Sequence, residues 1–204
     1  MARPPLPFVD DSQLSSELAF TPAVKAVQAR KGSRAPDAFE RDISEGLAAF
    51  IGEQTTAYLA TANAQGQPYV QHRGGPRGFL HVLDPHTIGL ADLRGNRQYI
   101  SLGNLSENPK VMLFIMDYAH RQRVKVWGTA RVVDVEDDVA LVRRLTPEGE
   151  RADQAILITV SAWDGNCPKY IPQLLDAEAV GEAIALRDRR IAQLERQLAE
   201  QQKR

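Results

Sequence analysis

The residues best suited to chemistry fall in three short stretches. In Ala91–Gln98 (ADLRGNRQ), Asp92 is followed by Gly95 and then by Asn96, Arg97 and Gln98, where a strand pattern gives way to a helix pattern. Free N–H groups at a helix start, the positive end of its dipole and a guanidinium can together hold a phosphate. The same spacing also fits a plain Asn cap followed by a surface arginine. The stretch has no GK[ST] and no GxGxxG, so it is neither a Walker loop nor a dinucleotide fingerprint. The second stretch sets Gln71, His72 and Arg73 beside Gly74-Gly75. A glycine pair at a strand edge lets a planar ligand lie against backbone amides; an irregular edge strand with a bulge is the plainer reading. Arg123 and Lys125, two apart, share one sheet face and point either to that pocket or to solvent. The third stretch is the turn Trp163-Asp164-Gly165-Asn166-Cys167-Pro168.

Other chemistries find little support. Cys167 is the single cysteine, which excludes an internal disulfide framework and a multi-cysteine zinc site. As a nucleophile it would need a basic partner, and His120 is the nearest histidine in sequence. His72, His81 and His86 lack metal-ligand spacing, and no GxSxG elbow is present. The chain has 204 residues, 25 Lys+Arg against 26 Asp+Glu, and 43% hydrophobic residues. That is the composition of an ordinary globular protein with a real core, and its near-zero charge argues against nucleic acid as a partner. Charge is uneven, however. Residues 71–131 are rich in Arg and Lys, whereas 132–160 are rich in acids. A cationic middle in a neutral chain suits a small anion better than a polyanion, although paired, solvated strand faces would look the same. No apolar run approaches the roughly 20 residues of a membrane span. The N-terminus has no apolar core of the secretory kind. The expectation is a soluble, cytoplasmic protein with no membrane partner.

These residues need elements to position them. Residues 1–11, with three prolines, read as an extended arm. Thr21-Pro22 opens a short helix that Lys31-Gly32 closes. Phe39, Ile43, Leu47 and Phe50 predict a second helix from Asp37 to about Ile51. The period then becomes that of strands: 55–61, 68–73, 78–83 and 87–93, joined by turns at Asn63–Gly66 and Asp84-Pro85. A helix of about three turns is expected from Asn96 to Asn108-Pro109. Lys110–Asp117 reads as a buried central strand, and Arg123–Asp134 as a strand that Gly128 could bend through a bulge. A helix over Glu136–Leu145 and a last strand over Ala155–Trp163 complete an antiparallel, barrel-like sheet. From Pro172 to Arg204 a long amphipathic helix carries Val180, Ile184, Ile191, Leu194 and Leu198 near heptad a and d positions, with Arg187 and Gln201 at two d-type sites. Its acids and bases suggest a solvated helix with many i,i+4 pairs, a short coiled coil, or a helix docked on its own barrel.

The order of these features resembles the pyridoxamine 5′-phosphate oxidase-like flavin-binding split barrels. That family carries a Ser-Arg-Lys-type triplet opening a helix that ends in Glu-Asn-Pro. Here the triplet is Asn96-Arg97-Gln98 and the helix ends in Glu107-Asn108-Pro109. The later strand carries the apolar–basic–apolar–x–Gly–x–Ala pattern as VKVWGTA, and the likeness covers about residues 45–165. HRGGPRGF, GNRQ, WDGNCP and the early helix FTPAVKAVQARKGSR are similar to a bacterial subgroup described as flavin-nucleotide-binding proteins.

The resemblance implies an α+β fold with an antiparallel split β-barrel over 41–170, preceded by an arm and helix over 1–40 and followed by an amphipathic helix over 171–204. It further implies a homodimer with FMN in clefts at the subunit interface. Asn96, Arg97 and Gln98 would hold the FMN phosphate and Asp92 would lie near the ribityl chain. Gln71, His72 and Arg73 would run beside ring and phosphate, and Arg123 would reach across the dimer. From their place in the irregular turn after the last strand, Trp163, Asn166 and Cys167 are candidates to line the substrate side of an oxidoreductase acting on a small molecule, with NAD(P)H a candidate reductant. Three departures bear on this. Gln98 replaces a lysine, the oxidase's C-terminal substrate stretch has no match, and Gly165 stands where the subgroup more often has Trp. The missing stretch makes pyridoxamine 5′-phosphate oxidation itself a poor fit. It also keeps open a non-catalytic module that binds or senses flavin, deazaflavin or haem, and a vestigial barrel whose C-terminal helix recruits a partner.

Overall fold

The computed structural model describes residues 18–33, 39–165, 169–175 and 177–202. The expected arm at 1–11, Asp37, Asn166 and Cys167 lie outside them. The chain divides into two compact units, one of residues 1–116 and 123–167, the other of 117–122 and 168–204.

In the first unit, α1 (Pro22–Lys31) starts where the Thr21 hydroxyl accepts the Val24 N–H and ends at left-handed Gly32. The second helix is shorter than its apolar spacing suggests. α2 (Glu45–Gly52) begins eight residues after Asp37, because the Ser44 hydroxyl accepts the Leu47 N–H and caps it there. Phe39 is not helical: it stacks on Trp127 with ring centroids 4.8 Å apart, and Glu40 bridges to Trp163. Strands β1 (Thr56–Ala62), β2 (Pro68–Gly74), β3 (His81–Asp84), β4 (Thr87–Leu93), β5 (Lys110–Asp117), β6 (Gln122–Asp134) and β7 (Ala152–Gly165) form one antiparallel sheet in the order β2-β1-β5-β6-β7-β4-β3.

The sheet is open in its hydrogen bonding, yet it curls. β2 and β4 are five strand spacings apart in that order, roughly 24 Å on a flat sheet. Nonetheless Arg73 on β2 and Asp92 on β4 meet at 2.6 Å. This is a barrel split along one side. Alternation along the strands supplies its two cores. Leu59, Leu113, Ile115, Val126, Ile156, Ile158 and Leu90 fill the first with Leu47 and Ile51 of α2. Ala155, Leu157 and Val133 pack on the other face against Val142 and Leu145 of a further helix, α4 (Val139–Leu145). α4 starts later than Glu136, since Asp138 takes the cap by accepting the Leu141 N–H. At Gly128 the β6–β7 register shifts, and a Cβ there would lie 2.2 Å from the Thr159 carbonyl oxygen. The bulge expected at this glycine is present.

The helix before β5 is also displaced. α3 (Ile100–Glu107) begins four residues after Asn96. Arg97 and Tyr99 are left-handed, with φ of 59° and 54°, and a helix cannot propagate through such residues. Asn96 instead turns its loop, its Oδ1 accepting the Gln98 N–H at 3.2 Å.

In the second unit, residues 117–122 form a turn in which Arg121 Nε donates to the Ile171 carbonyl and Gln173 Nε2 to that of Ala119. α5 (Ala177–Gln202) follows. Among its described residues the sequence offers few of the expected i,i+4 ion pairs, Arg196 with Glu200 being the clear one. No helix among the described residues is long and apolar enough to cross a membrane.

Candidate functional site

The strand end of β4, the N-terminus of α3 and one face of β2 converge where the barrel is split. α3 is fixed there by its far end: Asn104 Nδ2 donates to Thr61 Oγ1 at 2.9 Å, and Leu105 enters the core. The Ala64 N–H on the β1–β2 turn donates to Glu107. The helix start is therefore held rigidly while remaining open. No side chain caps it, so its first N–H groups face outward without intrahelical acceptors. Beside it lies a cavity of about 350 Å³ lined by Gln71, Arg73, Asp92, Asn96, Arg97 and Ser101, with Arg94, Tyr99, Leu102 and Gln154 among its other walls.

Three arginines border this cavity and are used differently. Arg94 is bidentate to Asp153, both of its hydrogen bonds 3.0 Å long. Arg73 spends Nη1 on Asp92, both side chains being only 14% exposed, while its Nε is buried with no acceptor among the described residues. Arg97 forms no ion pair among the described residues. Ser101, in the first turn of α3, is 4% exposed, and its hydroxyl also has no partner among the described residues. A buried, unsatisfied hydroxyl or guanidinium N–H costs about 1–3 kcal/mol unless something accepts from it. Two such donors, a free arginine and a helix N-terminus around one cavity fit a bound oxyanion of phosphate type. Three arginines against Asp92 and Asp153 also leave the cavity wall net cationic.

The structure brings Gln71, Arg73, Asp92, Asn96 and Arg97 together, and separates the rest. His72 lies on the opposite face of β2, as alternation requires, where it is exposed, and its Nε2 is 2.7 Å from the Thr56 hydroxyl. Gln98 does not line the cavity; it folds back on Asn96. Arg123 lies outside the cavity, and its Nε is buried without a partner among the described residues. Lys125 pairs with Asp164 at 2.8 Å and sits over the Trp127 ring. Trp163 packs on the first core and donates from Nε1 to the Asp42 carbonyl. A Cβ at Gly165 would meet none of the described residues within 4 Å. Sequence reasoning passed over Ser101 and Tyr99. The only available signal for Ser101 was a hydroxyl two residues into the helix, which also describes countless surface serines.

No group of His, Cys, Asp and Glu among the described residues is arranged to hold a metal. No curated protein matches the sequence. Among solved structures, HupZ from Group A Streptococcus is similar at 18% identity, covering 65% of this chain and 99% of its own, with a TM-score of 0.49. General Stress Protein 26 from Bacillus anthracis is similar at 15% identity over 58% and 89% of the two chains, TM-score 0.45. An FMN-binding protein from Syntrophomonas wolfei follows at 11% identity over 76% and 99%, TM-score 0.43. The sequence profile of the pyridoxamine 5′-phosphate oxidase family matches residues 43–167, from the approach to α2 through the last strand, and the chain belongs to that family.

Proposed function

We propose that this protein binds FMN at the split of its barrel and works as a flavin-dependent oxidoreductase on a small molecule. The observation that carries the reading is the pair of buried, partnerless donors, Arg73 Nε and Ser101 Oγ, beside the unpaired Arg97. A dianionic phosphate would take the charge of Arg97 and accept from the first N–H groups of α3. Small side-chain shifts that uncover the occluded Arg73 Nε and Ser101 Oγ would let it accept from both. Asp92 acts through Arg73, holding its Nη1 and so fixing the guanidinium beside the cavity. Tyr99, Ile100 and Leu102 supply apolar wall for the rest of the ligand. When bound, FMN supplies hydride or electron transfer at N5. The chain's own part is to bind, orient and shield the cofactor. Two copies related by a two-fold axis would complete the cleft, and Arg123 would then act across the interface.

The visible absorption spectrum of the purified protein, taken before and after adding FMN and desalting, tests this. A flavin spectrum retained at about one per chain is the expected result; a protein that stays colourless after FMN is added overturns it. A reading without turnover, in which the barrel carries or senses a flavin, deazaflavin or haem, is favoured by the missing match to the oxidase's substrate-binding stretch. Stopped-flow reduction by NAD(P)H followed by reoxidation with candidate acceptors separates the two, because only an enzyme cycles.

A further inference from the structure

The site described above lies wholly in the first unit and leaves α5 without a role. This helix is 26 residues long, and its apolar side chains are exposed: Val180 37%, Ile184 52%, Ile191 51%, Leu194 47% and Leu198 57%. Written as a heptad, Val180, Arg187, Leu194 and Gln201 are d positions, while Ile184, Ile191 and Leu198 are a positions. The seam from Val180 to Leu198 is about 27 Å long. A lone helix exposing such a stripe in water is marginal, and burial against a partner is what stabilises it.

The charges beside the seam identify the partner. Asp188 and Glu195 are e positions and Arg190 is a g position. None of the three has an opposite charge at i±3 or i±4 on its own helix, so the helix does not satisfy them internally. Arg190 donates one N–H to Gln193 at 2.9 Å and keeps its others. In a parallel, in-register pair of α5 helices, each Arg190 faces the partner's Glu195, twice by symmetry. The d-position Arg187 would enter a hole whose edge includes the partner's Asp188, which answers the one charged residue on the seam. The antiparallel pairing that sets Ile191 against the partner's Leu194 would instead place Asp188 against the partner's Glu195, a like-charge contact on both sides. β-Branched Ile184 and Ile191 at a, with Leu194 at d, also favour two strands over three or four. An isologous, self-complementary surface of this kind calls for a second copy of the same chain.

We infer that α5 forms a parallel, in-register, two-stranded coiled coil with α5 of a second copy. This contact is independent of the cofactor reading. Position-specific cross-linking of the full chain tests it, using Cys167→Ser to remove the only native thiol. Leu194→Cys in that background should oxidise mainly to a disulfide-linked dimer. Arg196→Cys, on the outward f position, should do so at a several-fold lower yield. Equal yields at the two positions, or no dimer at either, overturn the coiled coil. A mixture of Ile191→Cys and Leu194→Cys chains that links only as the mixed pair overturns the parallel orientation. Charge reversal gives a second reading, since none of these exposed residues supports the fold. Glu195→Arg should cut Leu194→Cys cross-linking several-fold, and adding Arg190→Glu should restore it. If reversal has no effect, the charges do not set the pairing.

Discussion

Ser101 and Arg97 border the same cavity, and their removal should have different signatures. Arg97→Ala deletes a charge-assisted contact to phosphate, so FMN binding should weaken by about 1.5–3 kcal/mol, roughly ten- to a hundredfold, measured by flavin fluorescence titration. Because Arg97 is exposed and unpaired, the stability of the apoprotein should not change. Ser101→Ala should lower FMN affinity by about 1 kcal/mol while raising the melting midpoint of the apoprotein, because it removes a hydroxyl that is buried without a partner. A serine kept for packing or capping would lose stability instead. The two residues also mark how far the site could be read from sequence. Arg97, beside Gly95 and Asn96, announces itself by residue type and spacing. Ser101 does not, because its meaning lies in burial, and burial is decided by Leu105 and the Asn104–Thr61 hydrogen bond elsewhere on the helix. His72 stands apart from its neighbours, because the period of two that sets Gln71 and Arg73 beside the cavity puts the residue between them on the other face. Gln98 follows a different rule, for Asn96 and the left-handed Arg97 turn the loop, and the sequence carries no local sign of that turn.

The elements were legible where the signal is local and shifted where it is not. Strands 55–61, 68–73 and 87–93 fall within a residue of β1, β2 and β4, because alternation and tight turns are short-range. Three helices moved because Ser44, Asp138 and the left-handed pair at 97 and 99 decide their starts, while Phe39 is claimed by Trp127, distant in sequence. Gly128 is the element-scale exception, a residue whose role was readable and whose constraint is measurable. Gly128→Ala would drive a Cβ to 2.2 Å from the Thr159 carbonyl oxygen. Neither backbone can yield without breaking the bulge, so urea denaturation should show a loss of roughly 3 kcal/mol. The packing of β3 against α4 carries a second prediction. Burial, and then the nearby Arg144, hold the His81 imidazole below its ordinary value of 6.5, against an opposing hydrogen bond with the Leu145 backbone. The unfolded chain therefore takes up the proton first as pH falls through 6.5, and stability falls with it. Above that value both states are neutral and the contribution vanishes. His81→Gln keeps a donor but does not titrate, so it should flatten the decline of the denaturation midpoint between pH 7.5 and 5 by at most one proton's slope.

At the scale of the whole molecule, the fold's decisive feature is that a seven-stranded sheet closes on itself through side chains instead of a strand ladder. The Arg73–Asp92 pair spans the split, and the cavity lies at that split. Neither charge reveals this partner in sequence, since each has several candidates of opposite sign nearby, and curvature is a property of all seven strands together. On the reading proposed above, a second copy would complete the site at the open side of the barrel. Two contacts would then join the copies, one around the cofactor and one along α5, in the same pair of chains. Linking two weak contacts makes the second effectively intramolecular, and its strength then depends on effective concentration. This predicts a concentration dependence that neither contact gives alone. At high protein concentration Glu195→Arg should bind FMN as tightly as the parent chain, because every residue lining the cavity is intact. On dilution the variant should release FMN at a protein concentration at least tenfold higher than the parent does, since its barrels are no longer held together by the coil. Flavin fluorescence followed through a dilution series of both proteins measures the difference. Superimposed curves would mean that α5 contributes nothing to holding the cofactor between copies, and that the barrel contact alone sets its retention.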